Sequence, residues 1–426
     1  MTQTGFYRAM WRWHFYAGLI VLPVLALMAV TGALYLYKPE IEARLYPTRL
    51  AGPVGEQPPP SRLIAAVGGR GTVTQILHPA DPQASWQVVT RAADAPPVTH
   101  FVDPRTGQVL GDMRDGGVMK TIKHLHSLAL TGPVGNRLVE VVAGWAILLC
   151  VTGLYLRWPR PGHPALSVRG RAQGRRFWRD LHGTLGFLSA GVILFLAVTG
   201  MPWTEIWGGS LRAVVAANQW GRPKMAAIPL DPPAREALPW TLRDAAPGAG
   251  RPGDIGIDAV ARIAARRGLP SGYQIVLPAT PGAPYLIASV VTRAQDARAI
   301  LIDAASGAVQ QDMDWRMFGP GAKSVEWGIA THQGQQYGEA NRLLMLAGCL
   351  CLLALCLTAP VLWWKRRFAT PPPASVPARR TVAALMILIG LIFPLTGLSM
   401  AAALGGEWVL RRLRFPFAAG GTKGTA

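Results

Sequence analysis

Eight histidines are spread over 426 residues, and five of them stand where an apolar segment begins or ends. His14 and His182 open two such segments at equivalent positions of a repeated stretch. His126 and His332 precede Asn136-Arg137-Leu138 and Asn341-Arg342-Leu343 by about ten and nine residues. A lone imidazole at a membrane edge is ordinarily a hydrogen-bonded or headgroup residue. Two imidazoles brought together on facing helices, once at each face, suit a flat macrocycle that needs one ligand above and one below. That macrocycle is haem, and two histidine ligands make it an electron-transfer centre with no open position for oxygen. Zinc is the rival. It would want three or four ligands, and no carboxylate or cysteine stands at comparable spacing. His124 is a third candidate at the second face.

The elements that must position these residues are membrane helices. Half of the residues are hydrophobic and 15% are charged, against roughly 25% in a soluble domain. An all-soluble enzyme of this composition would leave too much apolar surface in water. Five stretches, 15–37, 138–156, 185–203, 343–364 and 382–404, are long enough to cross a hydrocarbon core, which needs about 20 helical residues. The first is expected to be an uncleaved anchor, because Leu34-Tyr35-Leu36-Tyr37 is no small-residue cleavage site. The net charge of +20 falls largely in two short loops. Arg157, Arg160, Arg169, Arg171, Arg175, Arg176 and Arg179 lie in one; Lys365, Arg366, Arg367, Arg379 and Arg380 lie in the other. Both loops and the N-terminus are therefore expected to be cytoplasmic. The charge reads as topology, with the lipid bilayer as neighbour and no nucleic acid. Five spans would place Arg411, Arg412 and Arg414 outside, against that rule. All four cysteines lie within spans, so no disulfide is expected in the outer segments, and Cys349 and Cys351 read as packing residues.

The chain is written twice. Met10-Trp-Arg-Trp-His with Gly18 and Thr31-Gly32 returns as Phe177-Trp-Arg-Asp-Leu-His with Gly186 and Thr199-Gly200. Phe101-Val-Asp-Pro-Arg-Thr-Gly returns as Leu301-Ile-Asp-Ala-Ala-Ser-Gly. The expected fold is an α-helical integral membrane protein. It has about five transmembrane helices in a duplicated span–lobe–span unit and two small α+β periplasmic lobes. The expected order is span 1–37, lobe 38–135, span 136–160, basic loop 161–180 and span 181–203. Lobe 204–340, span 341–364, basic loop 365–380, span 381–404 and tail 405–426 follow. Parallel copies put the pseudo-symmetry axis along the membrane normal. In the first lobe the pattern predicts a helix at 61–67, strands at 72–77, 86–90 and 99–102, and a closing strand at 108–110. In the second it predicts a helix at 257–266 and strands at 273–277, 285–291 and 299–302. Asp103–Gly107 and Asp303–Gly307 are turns, and 51–60 and 245–253 are linkers. Gly18, Gly32, Gly186 and Gly200 would clear backbone for a ring, or serve close helix packing equally well. Arg137 and Arg342 could pair with haem propionates. Arg12 and Arg179 could too, although topological anchoring accounts for them better.

Trp13-His14-Phe15-Tyr16-Ala17-Gly18 with Thr31-Gly32, and Leu125-His126 with Gly153-Leu154-Tyr155-Leu156-Arg157-Trp158, resemble the PepSY-associated transmembrane family. So do Asp180-Leu181-His182-Gly183, Thr331-His332-Gln333-Gly334 and Trp363-Trp364-Lys365-Arg366-Arg367. The resemblance runs from about residue 6 to residue 400. It implies PepSY-like lobes and similarity to iron-regulated inner-membrane proteins, some of them haem-containing ferrisiderophore reductases. On that resemblance the chain would carry two haem b groups on His14, His182, His126 and His332, and would reduce a ferric siderophore in the periplasm to release Fe(II). Thr358-Ala359-Pro360 departs from the pattern, which has Thr-Gly there. Gly68-Gly69-Arg70-Gly71 lacks nucleotide-fingerprint spacing, so electrons would come from a cytoplasmic donor or from quinol. The alternatives are a haem-free sensor or modulator binding a periplasmic protein or peptide, and a transporter. The spans contain little of the buried charge a transport path needs.

Overall fold

The computed structural model describes residues 5–48, 58–160, 164–221, 253–269, 272–290, 292–365 and 376–414. In chain order the helices are α1 (Gly5–Tyr35), α2 (Lys38–Leu45), α3 (Pro60–Ala66), α4 (Gly117–His126), α5 (Gly132–Arg157) and α6 (Arg175–Gly200). They continue with α7 (Ile206–Ala217), α8 (Ile257–Arg266), α9 (Pro320–His332), α10 (Gly338–Trp364), α11 (Val376–Ile392) and α12 (Pro394–Arg414). The strands are β1 (Thr72–His78), β2 (Trp86–Arg91), β3 (Val98–Val102), β4 (Val109–Arg114), β5 (Tyr273–Val276), β6 (Tyr285–Ser289), β7 (Arg298–Ile302) and β8 (Val309–Asp314). The chain divides into two units. One comprises Met1–Gly32, Leu125–Leu211 and Leu346–Ala426; the other comprises Ala33–His124 and Arg212–Met345. The expected linkers at 51–60 and 245–253 lie almost wholly outside the described residues, as does much of the basic loop after Lys365.

The first unit is helical. Among the described residues, four helical segments are long and apolar enough to cross a membrane: Gly5–Tyr35, Ala129–Arg157, Arg175–Trp203 and Gly338–Trp364. They correspond to the first four expected spans. Their inner faces meet in a core that includes Ala17, Val21 and Leu25 of α1, Val142, Trp145 and Ala146 of α5, and Cys356 of α10. Ile20, Leu188, Leu350 and Leu357 point outward and are exposed, as side chains facing lipid should be. The cysteines are free.

The fifth expected span, 382–404, is not one helix. It breaks at Phe393 into α11 and α12, because a residue before proline is disfavoured in helical geometry and Pro394 suits the first turn of a new helix. A Cβ on Gly397 would lie 2.7 Å from Gly390 Cα. Seven residues along a straight helix would separate them by about 10 Å. The two helices therefore fold back as a hairpin. α12 docks on α5, with Thr396 against Gly144 and the Trp145 indole N–H donating to Ser399 Oγ at 2.9 Å.

The second unit corrects the expectation of two separate lobes. Each repeat supplies four antiparallel strands, but they join in one eight-stranded sheet of order β4-β3-β2-β1-β5-β6-β7-β8. The seam pairs β1 with β5, Ile76 opposite Ile275, and Gln75 donates to Gln274 at 2.7 Å. Pairing equivalent edges removes two rows of unsatisfied N–H and C=O groups. α3 and α8 cover one face, with Leu63, Val67, Val260 and Ala264 on Ile76, Ile275, Ile287 and Ile300. Ser61, through its N–H (2.8 Å) and hydroxyl (2.6 Å), donates to Asp258 at the start of α8. Leu286, Ala288, Ala299 and Leu301 fill a core on the opposite face. β6 and β7 are thus buried on both sides and read as continuous apolar runs. β8 goes beyond the expectation that the second lobe closes at its Asp303–Gly307 turn.

Candidate functional site

His14 lies in the third turn of α1 and His182 in the second turn of α6, both half-buried within the helical unit. Their ring centroids are 6.5 Å apart and the ring planes cross at 86°. Each ring is held by a threonine of the helix that returns beside it. Thr152 of α5 meets His14 Nδ1 at 2.9 Å, and Thr358 of α10 meets His182 Nδ1 at 2.7 Å. His126 repeats the device at the other end of the unit, where Thr31 of α1 meets its Nδ1 at 3.0 Å.

The direction of these bonds follows from the backbone. Thr31 donates its hydroxyl to Leu27 O at 2.6 Å, Thr152 to Leu148 O at 2.8 Å, and Thr358 to Leu355 O at 3.1 Å. A hydroxyl has one proton to give. With that proton committed to its own helix, each threonine oxygen accepts from the imidazole Nδ1–H. The tautomer this network selects carries its proton on Nδ1 and leaves the Nε2 lone pair for a metal.

The residue after each threonine matters as well. A Cβ on Gly153 would come within 3.0 Å of His14 Cε1, and one on Gly32 within 3.4 Å of His126 Cε1. Thr-Gly is thus a histidine cradle: the threonine orients the ring and the glycine leaves room for it. At Thr358-Ala359 the threonine bond to His182 is kept although alanine replaces glycine. Gly18 and Gly186 have only a leucine methyl near a would-be Cβ, at 3.8 and 3.7 Å. An added methyl fits there, so tight helix packing does not explain these two glycines.

The remaining histidine candidates are placed as follows. His124 sits two residues before His126 on α4. Two residues turn a helix through about 200°, so the two rings leave it on different sides, and His126 is the one that meets Thr31. Burial against apolar surroundings pushes the His126 pKa below its ordinary value, which favours the neutral, ligating form. His332 ends α9 in the sheet-bearing unit. There Asn341 donates to Thr331 O at 3.0 Å, and Gly334 turns the chain with φ +72° where a Cβ would strike Arg342. Three arginines considered for propionates are engaged by carboxylates. Arg137 forks onto Glu205 at 3.0 and 3.1 Å, Arg179 holds Asp180, and Arg342 pairs with Glu40 and Glu339.

Helices with apolar outer faces, imidazoles paired across them and an antiparallel sheet unit together define a membrane protein with a candidate two-imidazole centre. The chain belongs to the family described as the PepSY-associated TM region, whose model matches residues 11–366. No curated protein matches the chain.

Proposed function

We propose that this protein is a di-haem oxidoreductase of the bacterial inner membrane that reduces ferric siderophore in the periplasm and releases Fe(II). The observation that carries the reading is the His14–His182 pair. A metal–nitrogen bond of about 2 Å on each side, plus the inner half-widths of two imidazoles, requires about 6 Å between ring centroids. The observed 6.5 Å meets that requirement with both Nδ1 atoms already held by threonine. Haem would be held by His14 and His182. Among the described residues no three His, Cys, Asp or Glu come together as a metal site, so the pair does not extend to the ligand set zinc prefers.

Haem held there would supply one-electron transfer. The protein's part is to fix the two rings, select their tautomer and surround them with an apolar bundle that excludes water. His126 with Thr31 supplies the first half of an equivalent arrangement at the second face, and His332 is its proposed partner by the repeat. The siderophore follows from the family resemblance, the periplasmic placement of the sheet from the basic loops, and a cytoplasmic or quinol donor from the want of a nucleotide-fingerprint spacing.

The test is the visible spectrum of the detergent-purified full chain expressed with ample haem. A Soret band is expected, with about half of it lost in His14→Ala or in His182→Ala if each pair holds one haem of two. His126→Ala or His332→Ala removes the other half. A protein without a Soret band overturns the reading in favour of a haem-free modulator that binds a periplasmic protein or peptide.

A further inference from the structure

The basic loop before α6 forms more than a topological signal. Asp180 is fully buried and is surrounded by guanidinium groups, with Arg179 at 2.7 Å, Arg169 at 2.9 Å and Arg157 at 3.7 Å. Arg157 is further fixed by Ala165 O, Ser167 O and the Thr184 hydroxyl, and it crosses α6 over Gly183, where a Cβ would approach it to 2.8 Å. One carboxylate cannot neutralise this cluster. It fixes Arg169 and Arg179 in place, and these two join Arg175 and Arg176 in lining a cavity of about 340 Å³. That volume lies in the range of small-ligand sites, about 300–1,000 Å³. Four guanidinium groups around one space repel each other until an anion enters. The first turn of α6 lies beside it, with Gly174 at the cap position and no side-chain cap, so the helix dipole adds positive potential at the same place.

We propose that this cavity is a binding site for a phosphate-bearing headgroup. Guanidinium forks match phosphate oxygens in pairs. The surroundings suit a phospholipid as the source of that phosphate. Trp158, Leu166 and Val168 are exposed apolar side chains flanking the arginines in sequence, and a basic cluster at the end of a membrane helix attracts anionic headgroups. Its lining of four arginines contains no histidine.

The experiment is native mass spectrometry of the detergent-purified full chain, titrated with phosphatidylglycerol, with phosphatidylcholine, and with phosphatidylglycerol in the presence of inorganic phosphate. The wild-type chain is expected to prefer phosphatidylglycerol. Arg175→Gln with Arg176→Gln is expected to weaken that binding by about fivefold for each arginine removed. Both residues are exposed and neither holds Asp180. Should the double variant aggregate, Arg175→Gln alone carries the comparison, with about a fivefold loss. Phosphatidylglycerol displaced by inorganic phosphate supports the site with a soluble phosphate as its ligand; lipid that resists displacement supports it with a phospholipid. Equal binding of the two lipids, or unchanged phosphatidylglycerol binding in the variants, overturns the proposal.

Discussion

At the residue scale, the proposed centre turns on threonine as much as on histidine. The histidines are conspicuous in the sequence because they are few and repeat at span edges. The threonines that orient them are visible too, as Thr31-Gly32 and the Thr358-Ala359 departure, but a sequence does not say which atom a hydroxyl will face. That depends on antiparallel packing between helices more than a hundred residues apart, as in the His14–Thr152 bond. The network makes a direct prediction. Thr152→Val keeps the shape and deletes the acceptor, so the His14 ring loses its fixed tautomer. Removing such an outer partner costs about 10- to 100-fold in metal affinity. If the His14–His182 pair holds haem as proposed, haem occupancy there should fall accordingly, with a shifted reduction potential, and Thr152→Ser should restore both. A Thr152→Val protein with wild-type haem affinity and potential would exclude the threonine from this role.

At the element scale, the strands other than β8 and the two covering helices were legible from alternation, turn residues and the repeat. Asp103–Gly107 and Asp303–Gly307 close as expected, each with Gly N–H bonded to Asp O at 2.9 Å. The seam between β1 and β5 was not legible, because nothing local in Thr72–His78 tells an edge strand from a central one. That seam has a titratable group at its end. His78 stacks on Tyr273 at 4.9 Å and meets the Trp86 ring edge-on at 4.4 Å, with Nδ1 donating to Pro79 O at 2.9 Å. Burial among these rings pushes its pKa below the ordinary 6.5. The unfolded chain therefore takes up a proton near that ordinary value which the folded sheet still refuses. Stability from this group is present above pH 6.5 and is lost as pH falls towards the lower folded value. Hydrogen exchange of β1 and β5 peptides in the full chain, compared at about pH 7.5 and about pH 5 after correction for intrinsic rates, should show the seam opening more readily in acid. His78→Phe should remove most of that difference. Seam protection that does not change with pH would show that His78 has no such effect.

At the scale of the whole molecule, duplication organises the chain. It places His14 and His182 on equivalent helices, pairs Gln75 with Gln274 across the sheet, and leaves α11 and α12 as the part with no counterpart. Read as one span, that last part conflicts with its own charges, since Arg379 and Arg380 precede it while Arg411, Arg412 and Arg414 close it. The hairpin at Phe393-Pro394 removes the conflict. Both basic ends would then lie on the same side, as the positive-inside rule prefers. α11 with 17 residues and α12 with 21 extend about 25 and 31 Å against a hydrocarbon core of about 30 Å. Neither is among the four segments long and apolar enough to cross alone, and they would enter the membrane only as a pair. Exposed Ile387, Leu391 and Leu398 suit lipid on their outer faces. The tip is held by Trp207, whose indole N–H donates to Ile392 O at 3.1 Å and whose ring stacks on Phe393. The fold-back requires Gly390 and Gly397, because any side chain at either position would collide with the other backbone. A green fluorescent protein fused after Ala426 should therefore fluoresce, and alkaline phosphatase at the same place should be inactive. Gly397→Leu should force the tip apart and lower the fluorescence, either by straightening the pair into one span or by exposing the undocked helices to proteolysis. Active C-terminal phosphatase on the unmodified chain would mean a single crossing, and the hairpin would be wrong.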